Sequence, residues 1–269
     1  MINGKIGFIG TGNMGGPLLR AASKALDPSD LLISNRRREK SDAIALETSS
    51  AVASNRHIAE SCGMIILGVK PQMMAGVLTD IAPALKLRDD DFVLVSMAAG
   101  VSIERIRAMA GGAYPVIRIM PNLPASVGEG MILYSLSDGV TPAAADAFCE
   151  AFRLAGSFDK LPEDLIDVGC AISGCGPAFV AVFVEALADG AVECGLPRDK
   201  AYKYAEQTLY GTSRLLMESG MHPGHLKDLV CNPGGSTITG LHAMESRSFR
   251  VAAMEAITAA FQKTVKIGK

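Results

Sequence analysis

No surplus of either charge marks this 269-residue chain: 26 Lys and Arg face 28 Asp and Glu, a formal net charge of -2. Proteins that bind nucleic acid or an anionic membrane through their overall field carry a basic excess. Neither partner is expected, and a small molecule is the default. The six cysteines, at 62, 149, 170, 175, 194 and 231, include no CxxC pair, and no histidine completes a zinc-like spacing. No metal site is expected, and the thiols read as reduced and mostly buried. The amino terminus lacks a cationic stretch followed by a long apolar segment and a small-residue cleavage site, so a cytoplasmic protein is expected. No long apolar run is free of charge: Ala178 to Gly195 contains Glu185, Asp189 and Glu193 and follows Pro177. That suits a buried helix better than a bilayer core. Internal repeats and low-complexity tracts are absent, and 49% hydrophobic residues exclude disorder as the dominant state.

One further gap bears on chemistry. Between Leu161 and Pro197 there is no Lys, Arg or His. Dehydrogenases that oxidise alcohols need a base for the hydroxyl proton, and the helix-borne lysine of the β-hydroxyacid type has no candidate there. The histidines at 57, 222, 225 and 242 have no evident acidic partner and read as structural or exposed. A protonated imine carries its own positive charge and needs chiefly to be positioned against a hydride. Imine reduction therefore fits the residues present.

What is present over the first 160 residues is an alternation of short apolar runs and helical segments. Strands are expected at Lys5 to Ile9, Leu31 to Asn35, Met64 to Val69, Phe92 to Met97, Val116 to Met120, Met131 to Tyr134 and Ser157 to Lys160, with helices such as Met14 to Ala25, Gln72 to Pro83 and Thr141 to Leu154. The pattern predicts an α/β, doubly wound Rossmann-type domain with a parallel sheet over residues 1–161. From about Leu161 the strand signals stop. Asp164 to Cys170, Pro177 to Cys194, Arg198 to Ser219 and Thr237 to Lys266 read as helices, an all-helical domain over residues 162–269. The helix from Pro177 is apolar nearly all round and must bury every face against its own chain or a partner, which predicts a homo-oligomer built on this half.

Gly10-Thr11-Gly12-Asn13-Met14-Gly15 is a GxGxxG set directly after a strand and before a helix. The first glycine permits the turn, the second lets the backbone approach a pyrophosphate, and the third lets helix pack on strand. The helix amino terminus then faces the phosphates. At the end of the second strand, where NAD-selective domains place an acid for the ribose hydroxyls, this chain has Ser34-Asn35-Arg36-Arg37-Arg38. Arg36 offers a planar donor fork to a 2′-phosphate, so NADPH is the expected cofactor and NADH the weaker one. Arg37 and Arg38 read as solvated charges at a helix start. Val69-Lys70-Pro71 and Ala98-Ala99-Gly100 follow strands at their carboxyl ends, where doubly wound sheets bind ligands. Small residues at 98–100 would let a nicotinamide ribose lie close, while Lys70 reads equally as a loop lysine and Asn55 equally as an N-cap or a cofactor contact.

A second glycine loop, Asn232-Pro233-Gly234-Gly235-Ser236-Thr237, opens the last predicted helix and combines backbone N–H groups, two hydroxyls and a helix dipole, a set that suits a carboxylate. Ser173-Gly174-Cys175-Gly176-Pro177 opens the apolar helix and reads equally as cofactor-side packing or a turn.

Together FIGTGNMG, Ser34-Asn35-Arg36, Val69-Lys70-Pro71-Gln72, the AAGVSI stretch from Ala98, Met120-Pro121-Asn122, SGCGPAF from Ser173 and LKDLVCNPGGSTITGLHAME from Leu226 resemble the pyrroline-5-carboxylate reductases, over essentially the whole chain. The resemblance implies NADPH-dependent hydride transfer to the imine carbon of 1-pyrroline-5-carboxylate, giving L-proline in the last step of proline biosynthesis. It implies that Gly234, Gly235, Ser236 and Thr237 hold the substrate carboxylate, with Thr237 as the catalytic candidate beside the ring nitrogen and Asn122 as a further substrate contact. It carries over as cofactor contacts Gly10, Thr11, Gly12, Asn13, Met14, Asn35, Arg36, Asn55, Val69, Lys70, Pro71, Ala98, Ala99 and Glu163, the last also a good helix-start acid. It also implies a dimer through the carboxy-terminal helices, often within larger rings. Leu123, Met221 and Asn232 depart from the family pattern near the expected site, leaving a six-membered cyclic imine open as substrate. A β-hydroxyacid dehydrogenase, a reductase of another imine or a deazaflavin, and a non-catalytic NADP sensor are the rival readings.

Overall fold

Runs of Ile, Leu and Val without polar alternation suit strands covered on both faces, and the first part of the chain is built on such runs. The computed structural model describes residues 4–267. In chain order they form β1 (Ile6–Ile9), α1 (Gly15–Ala25), β2 (Leu31–Ser34), α2 (Arg38–Thr48), β3 (Ala51–Val52), α3 (Asn55–Ser61), β4 (Met64–Leu67), α4 (Pro71–Lys86), β5 (Val93–Ser96) and α5 (Ile103–Ala110). There follow β6 (Val116–Met120), β7 (Gly130–Leu136), α6 (Pro142–Ala151), β8 (Gly156–Lys160) and α7 (Glu163–Ser173), and then α8 (Gly176–Glu193), α9 (Arg198–Ser219), α10 (Pro223–Val230), α11 (Ser236–Ser246) and α12 (Phe249–Ile267). Packing divides the chain into two units, one running to Cys175 and resuming at Ala260, the other spanning Gly176–Ala259.

The strands of the first unit make one sheet in the order β3-β2-β1-β4-β5-β6-β7-β8. Alternating side chains feed two cores. Phe8, Ile33, Ile66 and Val95 pack with Leu18 and Leu19 of α1 and with Phe148 and Phe152. Ile9, Ile65, Leu67 and Leu94 pack with Ile58, with Met74, Leu78 and Ile81 of α4, and with Ile106 of α5. The sheet is the expected parallel one, except that β7 runs antiparallel to β6. Only residues 121–129 join the two strands, and they hold a 3-10 turn, Leu123–Val127, closed by Gly128 at φ 82. A parallel neighbour needs a crossover of about a dozen residues or more.

The second unit is helical, with α8 packed along α9. The run expected as one helix from Thr237 is two, α11 and α12, separated at Arg247 and at Ser248, whose φ is 58. The loop at Asn232 therefore opens an 11-residue helix and not the last one. The expectation that α8 is buried fails within the single chain: Ala188 is its one buried residue, and Val180 and Val182 are half or more exposed. The stretch Glu163–Glu193, which takes in α7, the turn at 174–175 and α8, is long and apolar enough to cross a membrane by length and composition. Only two cysteines, Cys62 and Cys170, are buried, so "mostly buried" is also corrected; all six are free thiols. Burial pushes the Cys62 and Cys170 thiols up to about 11.

A close backbone contact in the first unit joins the end of β1, the start of α1 and the residue after β4. A Cβ on Gly15 would lie 2.4 Å from the Gly10 carbonyl oxygen, and one on Gly68 would lie 2.1 Å from it. Gly68→Ala is expected to lower stability by about 1–3 kcal/mol, the range for overpacking. The measurement is urea unfolding, and an unchanged midpoint would show that the three backbones separate freely.

Candidate active site

The carboxyl ends of β1, β2, β4 and β5 lie along one edge of the sheet. The chain turns outward in opposite directions from β1 and β4, the strand-order switch at which such sheets hold ligands. Gly10, at φ 98, makes the turn after β1 and donates its N–H to Ser34 O at 2.8 Å. Gly12 faces open space where a Cβ would meet nothing within 4 Å. α1 has no side-chain cap and no acid in its first turn, so its positive end and amino-terminal N–H groups are left for an anion.

Asn35 ties this loop to β2. Its Oδ1 accepts the Thr11 N–H at 2.8 Å, and its Nδ2 donates to Thr11 Oγ1 at 2.7 Å and to Ser41 Oγ at 3.3 Å. Arg36, one residue further, is exposed and makes no ion pair among the described residues. Arg38 pairs with Asp42 at 2.9 Å, as a surface charge would. A cavity of about 480 Å³ opens beside Arg36, lined by Ile9, Gly10, Ser34, Asn35, Ser54, Asn55, Arg56, Val69, Met73, Val77 and Asp80. Val69, Met73 and Val77 give it an apolar wall. Asn55 is not the N-cap of α3: Ser54 accepts from His57 N at 3.1 Å, and Asn55 Nδ2 donates to Asp80 Oδ2 at 3.2 Å. Reading the sequence missed Ser54, Arg56, Met73, Val77 and Asp80. The signal was there, since positions 73, 77 and 80 share one face of a helix that starts at Pro71.

Lys70 is exposed and precedes Pro71, the first residue of α4. Ala98 is buried in the turn after β5, and Gly100 takes φ 71 there. Glu163 opens α7, and its Oε1 accepts the Ile103 N–H at 2.7 Å and lies 3.4 Å from Arg118 Nη1. Asn122 is committed to backbone on both sides, donating to Ser173 O and accepting from Met131 N, each at 2.9 Å. It joins the end of β6 to the end of α7.

In the second unit, Gly234 takes φ 68 and Gly235 caps α11 by backbone geometry alone. α11 resembles α1 in having no side-chain cap and no first-turn acid. Ser236 and Thr237 stand exposed in its first turn. The loop is therefore an open, positively polarised helix end flanked by two hydroxyls.

Residues 163–267 match the family model for pyrroline-5-carboxylate reductase dimerisation, and residues 5–100 match that for NADP oxidoreductase coenzyme F420-dependent. The chain is 37% identical over 268 residues to the pyrroline-5-carboxylate reductase of Escherichia coli (strain K12), covering 98% of each. The chain belongs to the pyrroline-5-carboxylate reductase family. The reductase of Methanosarcina acetivorans is 35% identical over 277 residues, covering 100% of each. Among solved structures, a Plasmodium falciparum pyrroline carboxylate reductase with NADP bound superposes with a TM-score of 0.89 at 31% identity, covering 100% of both chains. A Coxiella burnetii member of the family gives 0.91 at 28%, covering 99% of both.

Within this family fold, Asn35 holds the glycine loop through two hydrogen bonds with Thr11 and is itself held to α2 by a third, to Ser41. Asn35→Ala is expected to reduce stability by about 1 kcal/mol, the net worth of one such bond, and to speed amide exchange at Thr11. Unaltered exchange at Thr11 would show that the loop keeps its shape without Asn35.

Proposed function

We propose that the protein reduces 1-pyrroline-5-carboxylate to L-proline with NADPH, the last step of proline biosynthesis. The observation that carries this reading is the end-to-end match to named reductases of a chain with two open helix ends, each behind a glycine loop. The residues fit the cofactor. Gly12 leaves room beside α1 for a pyrophosphate, Arg36 is an unpaired fork for a 2′-phosphate, and the 480 Å³ cavity has an apolar wall for adenosine. NADPH when bound supplies the hydride.

The chain's own residues then bind and orient. Gly10, Thr11, Gly12, Asn13 and Met14 take the pyrophosphate, and Asn35, Arg36, Asn55 and Val69 the adenosine end. Lys70, Pro71, Ala98, Ala99 and Glu163 border the nicotinamide side. Gly234, Gly235, Ser236 and Thr237 receive the substrate carboxylate at the amino terminus of α11, with Thr237 Oγ1 directed to the ring nitrogen. Asn122 acts by positioning the end of β6. Hydride adds to the imine carbon, the C=N pair becomes the amine lone pair, and the nitrogen keeps the proton it brings as the iminium. Binding the iminium needs position more than acid catalysis, in accord with the absence of Lys, Arg and His from Leu161 to Pro197.

The domain division we favour is a cofactor part over residues 1–161 and a substrate and dimerisation part over 162–269. The exposed apolar side chains of α8, with the match to a dimerisation model, support a homodimer or larger homo-oligomer through these helices. Its partners are the cyclic imino acid and copies of itself, with no nucleic acid or membrane. Free thiols throughout suit the reducing cytoplasm.

The test is NADPH consumption by the purified protein with 1-pyrroline-5-carboxylate, beside NADH and beside the six-membered imine. Rapid turnover of the five-membered ring is expected; silence with that imine despite NADPH binding would overturn the reading. Arg36→Ala is expected to weaken NADPH by about 1–3 kcal/mol, the worth of a charged hydrogen bond, and to spare NADH. Equal effects on both nucleotides would remove Arg36 from the phosphate site. Thr237→Ala is expected to raise the KM for the imine far more than that for NADPH, and matched losses would point to misfolding.

A further inference from the structure

Arg118 is a buried arginine to which the function above gives no role. It sits in the middle of β6, in register with Ser96 of β5 and Ser135 of β7, and all three are buried. Its side chain is 3% exposed, and its Nε is buried with no hydrogen-bond partner among the described residues. Its neighbours on the same face of the strand, Val116 and Met120, are apolar. Burying a cation costs more than the pairing returns unless geometry is excellent, and an apolar residue of similar volume is often as stable. Core packing alone gives no reason for arginine here.

The two remaining nitrogens reach successive turns of one helix, α7. Nη2 donates to Asp167 Oδ1 at 2.5 Å, and Nη1 approaches Glu163 Oε1 at 3.4 Å. The same Glu163 oxygen accepts the N–H of Ile103, the first residue of α5. Ile103 ends the turn that begins at Ala98, in which Gly100 is at φ 71 and Val101 N donates to Ala98 O at 3.3 Å. A buried cation, a carboxylate and a backbone amide thus form a strut from the sheet interior to the far end of that turn. Only a planar fork reaches two carboxylates on successive helical turns at once; an ammonium is a point charge.

We propose that Arg118 is a positioning residue for hydride transfer, acting through Glu163 to hold the 98–103 turn that borders the nicotinamide. The proposal rests on the reductase reading for the word nicotinamide, and on geometry alone for the strut. Arg118 touches neither substrate nor cofactor. Its loss leaves Glu163 without its internal anchor, so the turn shifts while the adenosine end and the second glycine loop stay in place. Displacement of this kind far from the reacting atoms can slow a reaction by about 100-fold with little change in binding.

The test uses the full-length enzyme with Arg118→Lys, Arg118→Met, Glu163→Gln and Asp167→Asn. Amide exchange at residues 101–103, measured without nucleotide, is expected to speed up in Arg118→Met and Glu163→Gln but not in β6. With substrates, kcat is expected to fall about 10- to 100-fold in Arg118→Met, and less in Arg118→Lys and Asp167→Asn. The KM for the imine should stay within about twofold, the deuterium isotope effect from labelled NADPH should rise, and the double variant Arg118→Met with Glu163→Gln should be no worse than the poorer single one. Unchanged exchange at 101–103, additive losses, or losses that track thermal stability with no rise in the isotope effect would overturn the strut. If Arg118→Met does not fold, Asp167→Asn and Arg118→Lys decide on the same readouts. Wild-type enzyme silent toward the imine, with exchange at 101–103 still responding to Arg118, would sink the reductase reading and leave the strut standing.

Discussion

Three backbones meet where no side chain fits. The end of β1 at Gly10, the start of α1 at Gly15 and the end of β4 at Gly68 approach so closely that a Cβ at either of the last two would overlap the Gly10 carbonyl. This contact sets the angle at which α1 leaves the sheet, and so aims its amino terminus into the crevice at the strand-order switch. The hydrogen bonds from Asn35 to Thr11 then lock the loop to β2, which in turn puts Arg36 at the mouth of the cavity. Each later element of the cofactor side is placed relative to that one packing constraint.

The helix ends show which positions are left for ligands. α3, α5 and α6 are capped by Ser54, Ser102 and Thr141, each accepting a backbone N–H from the first turn. α1 and α11 follow glycine loops and have neither a cap nor an early acid. An absent cap costs about 1 kcal/mol, and it leaves the N–H groups and the dipole free for an anion. α4 also lacks both and opens on Pro71; the two such ends that lie behind glycine loops match the two anionic groups that the proposed reaction needs, a pyrophosphate and a carboxylate. Arg118 reflects the same trade inside the sheet, where a buried charge is retained at a place that packing would give to an apolar residue.

The chain is legible where one local rule decides. Continuous apolar runs located the strands of the central sheet to within a residue or two, and Val116–Met120 and Arg198–Ser219 match the expected bounds. α3, α5 and α10, with 7, 8 and 8 residues, are too short to show a helical period above noise, and α2 opens on Arg-Glu-Lys with few apolar positions. β3 has two residues and is a strand only because β2 pairs with it. The break between α11 and α12 falls at Arg247 and Ser248, with no glycine or proline to announce it. Among site residues, the glycine loops and Arg36 stood out because backbone geometry or charge singled them out. Arg56 and Asp80 did not, since exposed charges on helices are commonplace until a cavity gathers them.

By itself the sequence determined the longer strands of the sheet and their order, the two glycine loops and the choice of arginine over an acid after β2, because those depend on neighbours within a few residues. The tertiary structure alone decided the reversed direction of β7, which side chains share the cavity, and the tie from Arg118 through Glu163 to Ile103. The tie depends on pairs 45 and 60 residues apart in the chain, the cavity on pairs such as Asn55 and Asp80, 25 apart, and the direction of β7 on its pairing with β6; such contacts follow from how the sheet closes and not from a run of neighbouring residues.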